Sequence, residues 1–251
     1  MLIHSDTATA IERAKGTAES ISRSPEYQAF LERLRKEYPW RFQISREIIE
    51  RDYLRIVDHH LRHLIPKIQR YMRPDVKRVL DFGCGSGGSA IALAMVNPEV
   101  HCYGTDIDAG EIAVARERAE IYHVADRCEF HHVAPCQPLP FASNSFDFSL
   151  CSSVLEYATE PGVRRFCVQE MVRLVEGRGL MFFAVPNRLY PFEIHTGKWG
   201  WNYFPKWLEA QTVDVTFWEV RKLAKPDRVK LHDTPVWQLF RPWSAFCLIK
   251  E

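Results

Sequence analysis

The 251-residue sequence lacks the features that mark several large classes of protein. It contains no run of about 18 apolar residues, and its longest apolar stretch, residues 179–185, has the length of a strand. The N-terminal residues MLIHSD lack the basic and apolar regions of a signal peptide. With 33 basic and 32 acidic side chains, the net charge of +1 provides no overall field for phosphate backbones. We therefore expect a cytoplasmic protein that neither inserts into a membrane nor binds nucleic acid.

The cysteines offer no pattern of a metal site or a disulfide framework. There are 7 of them, an odd number, and none belongs to a Cys-x-x-Cys pair. Several lie in apolar, strand-like runs, where a reduced cysteine behaves as a small hydrophobic residue. His59 and His63 have the i, i+4 spacing of a helical metal pair, but the sequence offers no third ligand. We therefore predict a reduced protein without a metal site.

Two kinds of periodicity divide the chain. Residues 1–75 follow helical spacing, with a helix start at Ser24 and Pro25, because serine is a good N-cap and proline suits the first turn. From Lys77 onward, short apolar strands alternate with helices of about 10–15 residues. The predicted strands are 78–82, 100–105, 128–133, 146–151, 179–185, 229–231 and 246–249, and the predicted helices between them are 90–96, 109–122, 162–175 and 214–225.

This alternation predicts the fold class. Strands that alternate with helices indicate βαβ units, and their right-handed crossovers build a doubly wound, mostly parallel α/β sheet. Ligands of such sheets bind at the carboxyl ends of the strands. We divide the chain into an N-terminal helical cover at residues 1–75 and an α/β domain at residues 76–251, with a substrate-facing cap at residues 188–210.

A glycine cluster follows the first predicted strand. Gly83, Gly85 and Gly88 satisfy the G-x-G-x-x-G pattern of dinucleotide-binding proteins, and Asp106 lies 18 residues further on, where a ribose-binding acid is expected. Read alone, the pattern therefore fits an NAD-linked oxidoreductase. A nucleoside triphosphate loop is excluded, because Ser89 rather than a lysine follows the cluster.

The acidic residue before the glycines argues for a different ligand. Asp81 ends the strand beside the ligand crevice, where a pyrophosphate would be repelled by several kcal/mol. S-adenosylmethionine presents an α-ammonium and ribose hydroxyls instead, so Asp81 can serve the first group and Asp106 the second. Glycines also allow the backbone to approach the methionine portion without a Cβ clash.

The sequence resembles the Rossmann-like, class I S-adenosylmethionine-dependent methyltransferases in four segments that follow the family's order. These are residues 80–87 (LDFGCGSG), 104–108 (GTDID), 138–147 (PLPFASNSFD) and 151–157 (CSSVLEY). The resemblance covers about residues 77–187 and implies a seven-stranded sheet, methyltransferase activity and S-adenosyl-L-methionine as cofactor. The cofactor-binding residues that it implies are Asp81, Gly83, Cys84, Gly85, Gly87, Asp106, Ile107, Cys136, Ser152 and Ser153.

One departure from the family concerns the adenine. Many relatives place an acidic residue shortly before the LPF segment, where it receives the adenine amino group. Residues 135–137 of this chain are Pro-Cys-Gln. The adenine is then held by the Cys136 backbone, by Gln137 or by packing alone, and these alternatives remain open.

The methyl acceptor is suggested by the segment after the fifth predicted strand. The chain lacks the Asn/Asp-Pro-Pro-aromatic motif of enzymes that methylate amide or exocyclic nitrogens, so base-flipping chemistry is unsupported. Residues 186–205 instead resemble the insertion of small-molecule O-methyltransferases. They supply Glu193 and His195 among aromatic side chains, as a small acceptor's pocket requires.

We therefore expect O-methylation of a small molecule or a glycan. Transfer to a hydroxyl needs a general base, and the candidates are His195, Glu193, Glu156 and Tyr157. The alternatives are N-methylation of a small molecule, the NAD-linked oxidoreductase, and a non-catalytic relative of the same fold that acts as a binding module.

Overall fold

The computed structural model describes residues 5–38, 56–187, 189–193, 198–199, 215–225, 228–233 and 243–251. Helices and strands are numbered within these ranges. No helix of the described residues is both long and apolar enough to span a membrane.

The described residues between 5 and 68 form helices, as the periodicity of the N-terminal part predicts. Helix α1 spans Ser5–Ser22 and α2 spans Pro25–Glu37. The Ser24 hydroxyl caps α2 by accepting a hydrogen bond from the Tyr27 N–H at 3.2 Å, so the predicted helix start is confirmed. Helices α3 (Ile56–His63) and α4 (Ile65–Ile68) follow.

The strands and helices of the α/β part alternate as predicted. The strands are β1 (Arg78–Phe82), β2 (His101–Asp106), β3 (Cys128–His132), β4 (Phe146–Ser152), β5 (Val175–Pro186), β6 (Phe192–Glu193), β7 (Lys198–Trp199), β8 (Val229–Asp233) and β9 (Trp243–Lys250). The helices are α5 (Gly88–Val96), α6 (Ala109–Ile121), α7 (Pro161–Leu174) and α8 (Phe217–Leu223).

Seven of these strands form one sheet in the order β3-β2-β1-β4-β5-β9-β8. β4 is parallel to both β1 and β5, whereas β9 is antiparallel to β5 and to β8. The doubly wound, seven-stranded α/β fold is therefore confirmed. Strand order reverses direction between β1 and β4, which is the topological switch point where ligands of such sheets bind.

Several elements differ in length from their predictions, β9 among them, and for two of them the structure gives a local cause. Helix α8 is shorter than residues 214–225 because Thr216 caps its start, accepting from the Glu219 N–H at 3.2 Å. Lys225, just beyond its end, has a left-handed backbone with φ of 64°. Strand β5 starts four residues before its predicted position, because Val175 already pairs with Phe146 across an irregularity in the register.

Two compact units are distinguished within the chain. The first comprises Met1–Arg70, Cys84–Gly104 and Asp108–His131, and the second comprises Tyr71–Gly83, Thr105–Ile107 and His132–Glu251. In the first unit the rings of Tyr27 and Tyr122 pack edge to face at 5.8 Å. In the second unit the rings of Phe183 and Phe246 stack at 5.4 Å. The boundary between residues 75 and 76 remains a prediction.

Candidate functional site

Within the second unit, backbone hydrogen bonds join the carboxyl ends of strands. The Gly83 N–H donates to the Thr105 carbonyl at 2.8 Å, and the Val133 N–H donates to the Asp106 carbonyl at 3.0 Å. The end of β1 and the acidic end of β2 are therefore neighbours. Beyond the end of β4, the Ser153 N–H donates to the Ala184 carbonyl of β5 at 3.0 Å.

The turn after β1 needs glycine for two separate reasons. Gly83 and Gly85 both have left-handed backbones, with φ of 72° and 50°. A Cβ at Gly83 would overlap the Val154 side chain, so the backbone there approaches its neighbour closely. A Cβ at Gly85 would meet no described atom within 4 Å, so that position borders open space.

Asp81 lies in β1, just before this turn, and is only 2% exposed. Its neighbours include Cys151 of β4: burial raises the pKa of the Cys151 thiol, and Cys167, Glu156 and Asp81 raise it further. Cys151 is therefore a neutral, buried thiol, not a nucleophile. Asp81 and Glu156 thus both raise the pKa of the same buried thiol.

The two acids that follow β2 have different surroundings. Asp108 caps helix α6, and its Oδ1 accepts from the Gly110 N–H at 2.7 Å and the Glu111 N–H at 3.0 Å. Asp106 ends the strand itself and is half-buried, while the Ile107 side chain is 61% exposed. A carboxylate beside an exposed apolar side chain is a suitable arrangement for a ligand with hydroxyl groups and an aromatic base.

The remaining predicted cofactor residues are divided between the two units. Cys136 and Ser153 are exposed and have left-handed backbones, with φ of 55° and 58°. Ser152 is half-buried at the end of β4. In the first unit, Cys84 and Gly87 are buried, and the Gly87 N–H donates to the Cys84 carbonyl at 3.0 Å.

The candidates for a general base differ in how far they are exposed. Glu156 is fully buried, whereas the adjacent Tyr157 is 60% exposed. Glu193 lies in β6 and pairs with Lys198 of β7 in a two-stranded antiparallel sheet. His195 and most of the predicted cap at residues 188–210 lie outside the described residues.

Sequence reasoning did not identify Arg164, which organises the segment after β4. This arginine of α7 is 3% exposed; its Nε donates to the Leu155 carbonyl at 3.1 Å and its Nη1 to Glu219 Oε1 at 2.6 Å. It therefore holds the backbone between Glu156 and Val154 in place. An arginine among the apolar positions of a predicted helix is the only sequence signal that could have indicated this role.

The LPF and NSFD parts of the third family motif, residues 138–147, make hydrogen bonds to neighbouring elements. Glu170 Oε1 of α7 accepts from the Leu139 N–H at 2.7 Å, and Arg173 Nη1 donates to the Phe141 carbonyl at 2.9 Å. Asp147 Oδ2 accepts from the Lys77 and Arg78 N–H groups at 2.6 and 2.8 Å. These residues anchor the loop before β4 and the start of β1.

Among the described residues, no group of three potential ligands could hold a metal ion. The rings of His59 and His63 lie 4.7 Å apart. A cavity of about 350 Å³ contains none of the predicted site residues. It lies near the start of β5, where Lys250 Nζ donates to Asn144 Oδ1 at 2.6 Å and to the Val175 carbonyl at 2.7 Å.

Together, the sheet order, the left-handed glycine turn and the acidic strand ends define a Rossmann-like methyltransferase domain. Residues 79–179 match the family model described as "Methyltransferase domain". The ubiquinone biosynthesis O-methyltransferase of Aromatoleum aromaticum is 30% identical over 112 residues, which cover 45% of this chain and 45% of that protein. The chain spans less than half the length of the curated relatives with which it is compared.

Solved structures share the fold at low sequence identity. A SAM dependent methyltransferase from Aquifex aeolicus has a TM-score of 0.56 and 14% identity, covering 73% of this chain and 87% of that chain. The cyclase SpnF has a TM-score of 0.54 and 16% identity, covering 70% of this chain and 75% of that chain. Residues 79–179 therefore form a methyltransferase domain, and the fold is that of the class I S-adenosylmethionine-dependent methyltransferases.

Proposed function

We propose that this protein transfers a methyl group from S-adenosylmethionine to a hydroxyl oxygen of a small molecule or glycan. The observation that carries the proposal is the pair of acids at the ends of β1 and β2. Asp81 precedes the left-handed glycine turn, and Asp106 follows the strand whose Thr105 carbonyl accepts from the Gly83 N–H at 2.8 Å. The acidic strand ends suit a ligand with an ammonium group and ribose hydroxyls better than a pyrophosphate.

The described residues fit this cofactor. Open space borders Gly85, so a ligand can approach the turn without meeting a side chain. In the proposal, Asp81 attracts the α-ammonium, Asp106 accepts from the ribose hydroxyls and the exposed Ile107 covers one face of the adenine. Cys136 and Ser153, both exposed, complete the set from the neighbouring loops.

The chain's own task in the transfer is alignment and proton removal. When bound, S-adenosylmethionine supplies a methyl group already activated by its sulfonium centre. The protein has to hold the acceptor oxygen in line and accept its proton. We assign the base to His195, with Glu193 as its partner or as an acceptor-binding group; Tyr157 is the exposed alternative, since the fully buried Glu156 is poorly placed to meet an acceptor.

The acceptor class has support from the names of several relatives. The ubiquinone biosynthesis enzyme is named as an O-methyltransferase, which agrees with the aromatic segment after β5. The fold alone does not decide the reaction, because SpnF is named as a cyclase.

The test begins with labelled S-adenosylmethionine, a metabolite extract and matched variants of two neighbouring acids. We expect one metabolite to gain about 14 Da, the mass of a CH2 group.

The variants test the cofactor site. Asp106→Ala should weaken cofactor binding by about 1.5–3 kcal/mol per lost charged hydrogen bond. Asp108→Ala is the control: it removes the α6 cap, costs about 1 kcal/mol of stability and leaves affinity unchanged. Equal affinity losses in both variants, measured by calorimetry, would contradict the ribose assignment.

The base is tested separately once the acceptor is known. His195→Ala should lower kcat by about 10²–10⁴-fold with nearly unchanged S-adenosylmethionine affinity, because only proton removal is lost. Wild-type turnover in this variant would transfer the role to Tyr157.

A further inference from the structure

The side chain of Arg118, on helix α6, is fully buried in the first unit. A guanidinium stays charged at any physiological pH, so its burial is costly unless charged or polar groups receive its hydrogen bonds. Arg118 Nη1 donates to the Ser86 carbonyl at 2.6 Å. Ser86 belongs to the glycine loop, 32 residues earlier in the chain.

With this hydrogen bond, both polar groups of one peptide in the loop have partners. The Ser86 carbonyl and the Gly87 N–H belong to the same planar peptide unit. The carbonyl accepts from Arg118, and the N–H donates to the Cys84 carbonyl at 3.0 Å. Both polar groups of this peptide therefore have partners inside the first unit, immediately before helix α5 begins at Gly88.

Helix α2 packs an aromatic ring against the arginine. The Arg118 guanidinium lies 5.5 Å from the centroid of the Phe30 ring, within the range of a cation–π interaction. Phe30 belongs to α2 and is itself only 2% exposed. Phe30 has a second cationic neighbour, Arg33, at 5.9 Å, but that side chain is 44% exposed and pairs with Glu117.

We propose that Arg118 is a positioning residue through which helix α2 sets the affinity of the glycine loop for the cofactor. The inference rests on the proposed function, since it takes the loop to be the cofactor site. A loop whose peptide is already fixed loses little conformational freedom when a ligand binds. Without Arg118, the Ser86–Gly87 peptide is held at one end only, and the ligand has to order it.

The experiment compares Arg118→Met with Arg33→Met, because both remove a cation from the same ring and only the first removes the bond to Ser86. S-adenosylhomocysteine binding is measured by calorimetry. We expect Arg118→Met to raise Kd by roughly tenfold and Arg118→Lys, which keeps a charged donor, to recover part of the loss. In turnover, KM for the cofactor should rise while kcat at saturation stays close to wild type. Arg33→Met should leave Kd within about twofold of wild type.

A ligand-free measurement keeps the test independent of the proposed function. Hydrogen exchange of the Gly87 amide should accelerate in Arg118→Met and less strongly in Arg118→Lys, while the Ile91 amide, bonded to the Gly87 carbonyl at 3.0 Å, should change less. Unchanged Gly87 exchange, or equal weakening of binding by Arg33→Met, would overturn the role of Arg118. Absence of cofactor binding in the wild-type protein, together with faster Gly87 exchange in the variant, would instead overturn the proposed function and leave the loop-fixing role standing.

Discussion

At the scale of single residues, neighbouring glycines in the same turn have different requirements. Gly83 needs a left-handed backbone and has no room for a Cβ beside Val154. Gly85 needs only the backbone conformation, because nothing described lies within 4 Å of an added Cβ. The first position therefore serves packing, and the second lies open to a ligand.

Alanine substitutions should separate these requirements. Gly83→Ala should lower the free energy of unfolding by about 2–4 kcal/mol, because a strained backbone is combined with an overlap in a packed site. Gly85→Ala should cost about 1 kcal/mol in stability but weaken S-adenosylmethionine binding by more than that. Denaturant unfolding and calorimetry measure the two quantities. Stability losses of equal size would contradict the packing difference.

At the scale of elements, helix α7 fastens the loop before β4. Glu170 accepts from the Leu139 N–H at 2.7 Å and from Arg173 Nη2 at 2.5 Å, and Arg173 also donates to the carbonyls of Leu139 and Phe141. Burial by itself raises the pKa of Glu170, but the bonds from Arg173 and Leu139 lower it more, so the net pKa lies below the ordinary value of 4.5. The charged form of Glu170 therefore stabilises the fold.

This contribution predicts an acid-dependent loss of stability. Because the folded pKa is lowered, the stabilisation is complete above pH 4.5 and disappears as the pH falls through the folded-state pKa. Glu170→Gln should cost about 1–3 kcal/mol at neutral pH and reduce the loss of stability in acid. The control is Glu176→Gln. The Glu176 side chain is 39% exposed in its ion pair with Arg73, so this substitution should lower the free energy of unfolding by less than about 1 kcal/mol. Denaturant unfolding at several pH values measures these changes. If the free energy of unfolding falls equally with pH in wild type and in Glu170→Gln, this account is refuted.

At the scale of the whole molecule, a ligand that binds only the folded chain should raise its stability. At a free concentration of about 100 times Kd, S-adenosylhomocysteine should add about 2.7 kcal/mol to the free energy of unfolding. NADH at equal concentration should add nothing, because Asp81 disfavours a pyrophosphate beside the glycine turn. Thermal unfolding with each compound measures the difference. Stabilisation by NADH alone would favour the oxidoreductase.

The sequence by itself determined the alternation of strands and helices and the position of the glycine turn. These features depend on local causes: side-chain periodicity, caps such as Ser24, and glycines that allow left-handed backbones. The ends of β5 and α8 were predicted less well, because the pairing of Val175 with Phe146 and the left-handed Lys225 are not signalled by periodicity.

Only the tertiary structure decided which polar side chains hold the site together. Glu156 and Tyr157 are adjacent in sequence, yet one is fully buried and the other is 60% exposed. Arg118 reaches Ser86 across 32 residues, and Asp147 reaches Lys77 across 70. Such contacts depend on how each helix and strand is rotated and packed against distant neighbours, and local propensity carries no information about that rotation.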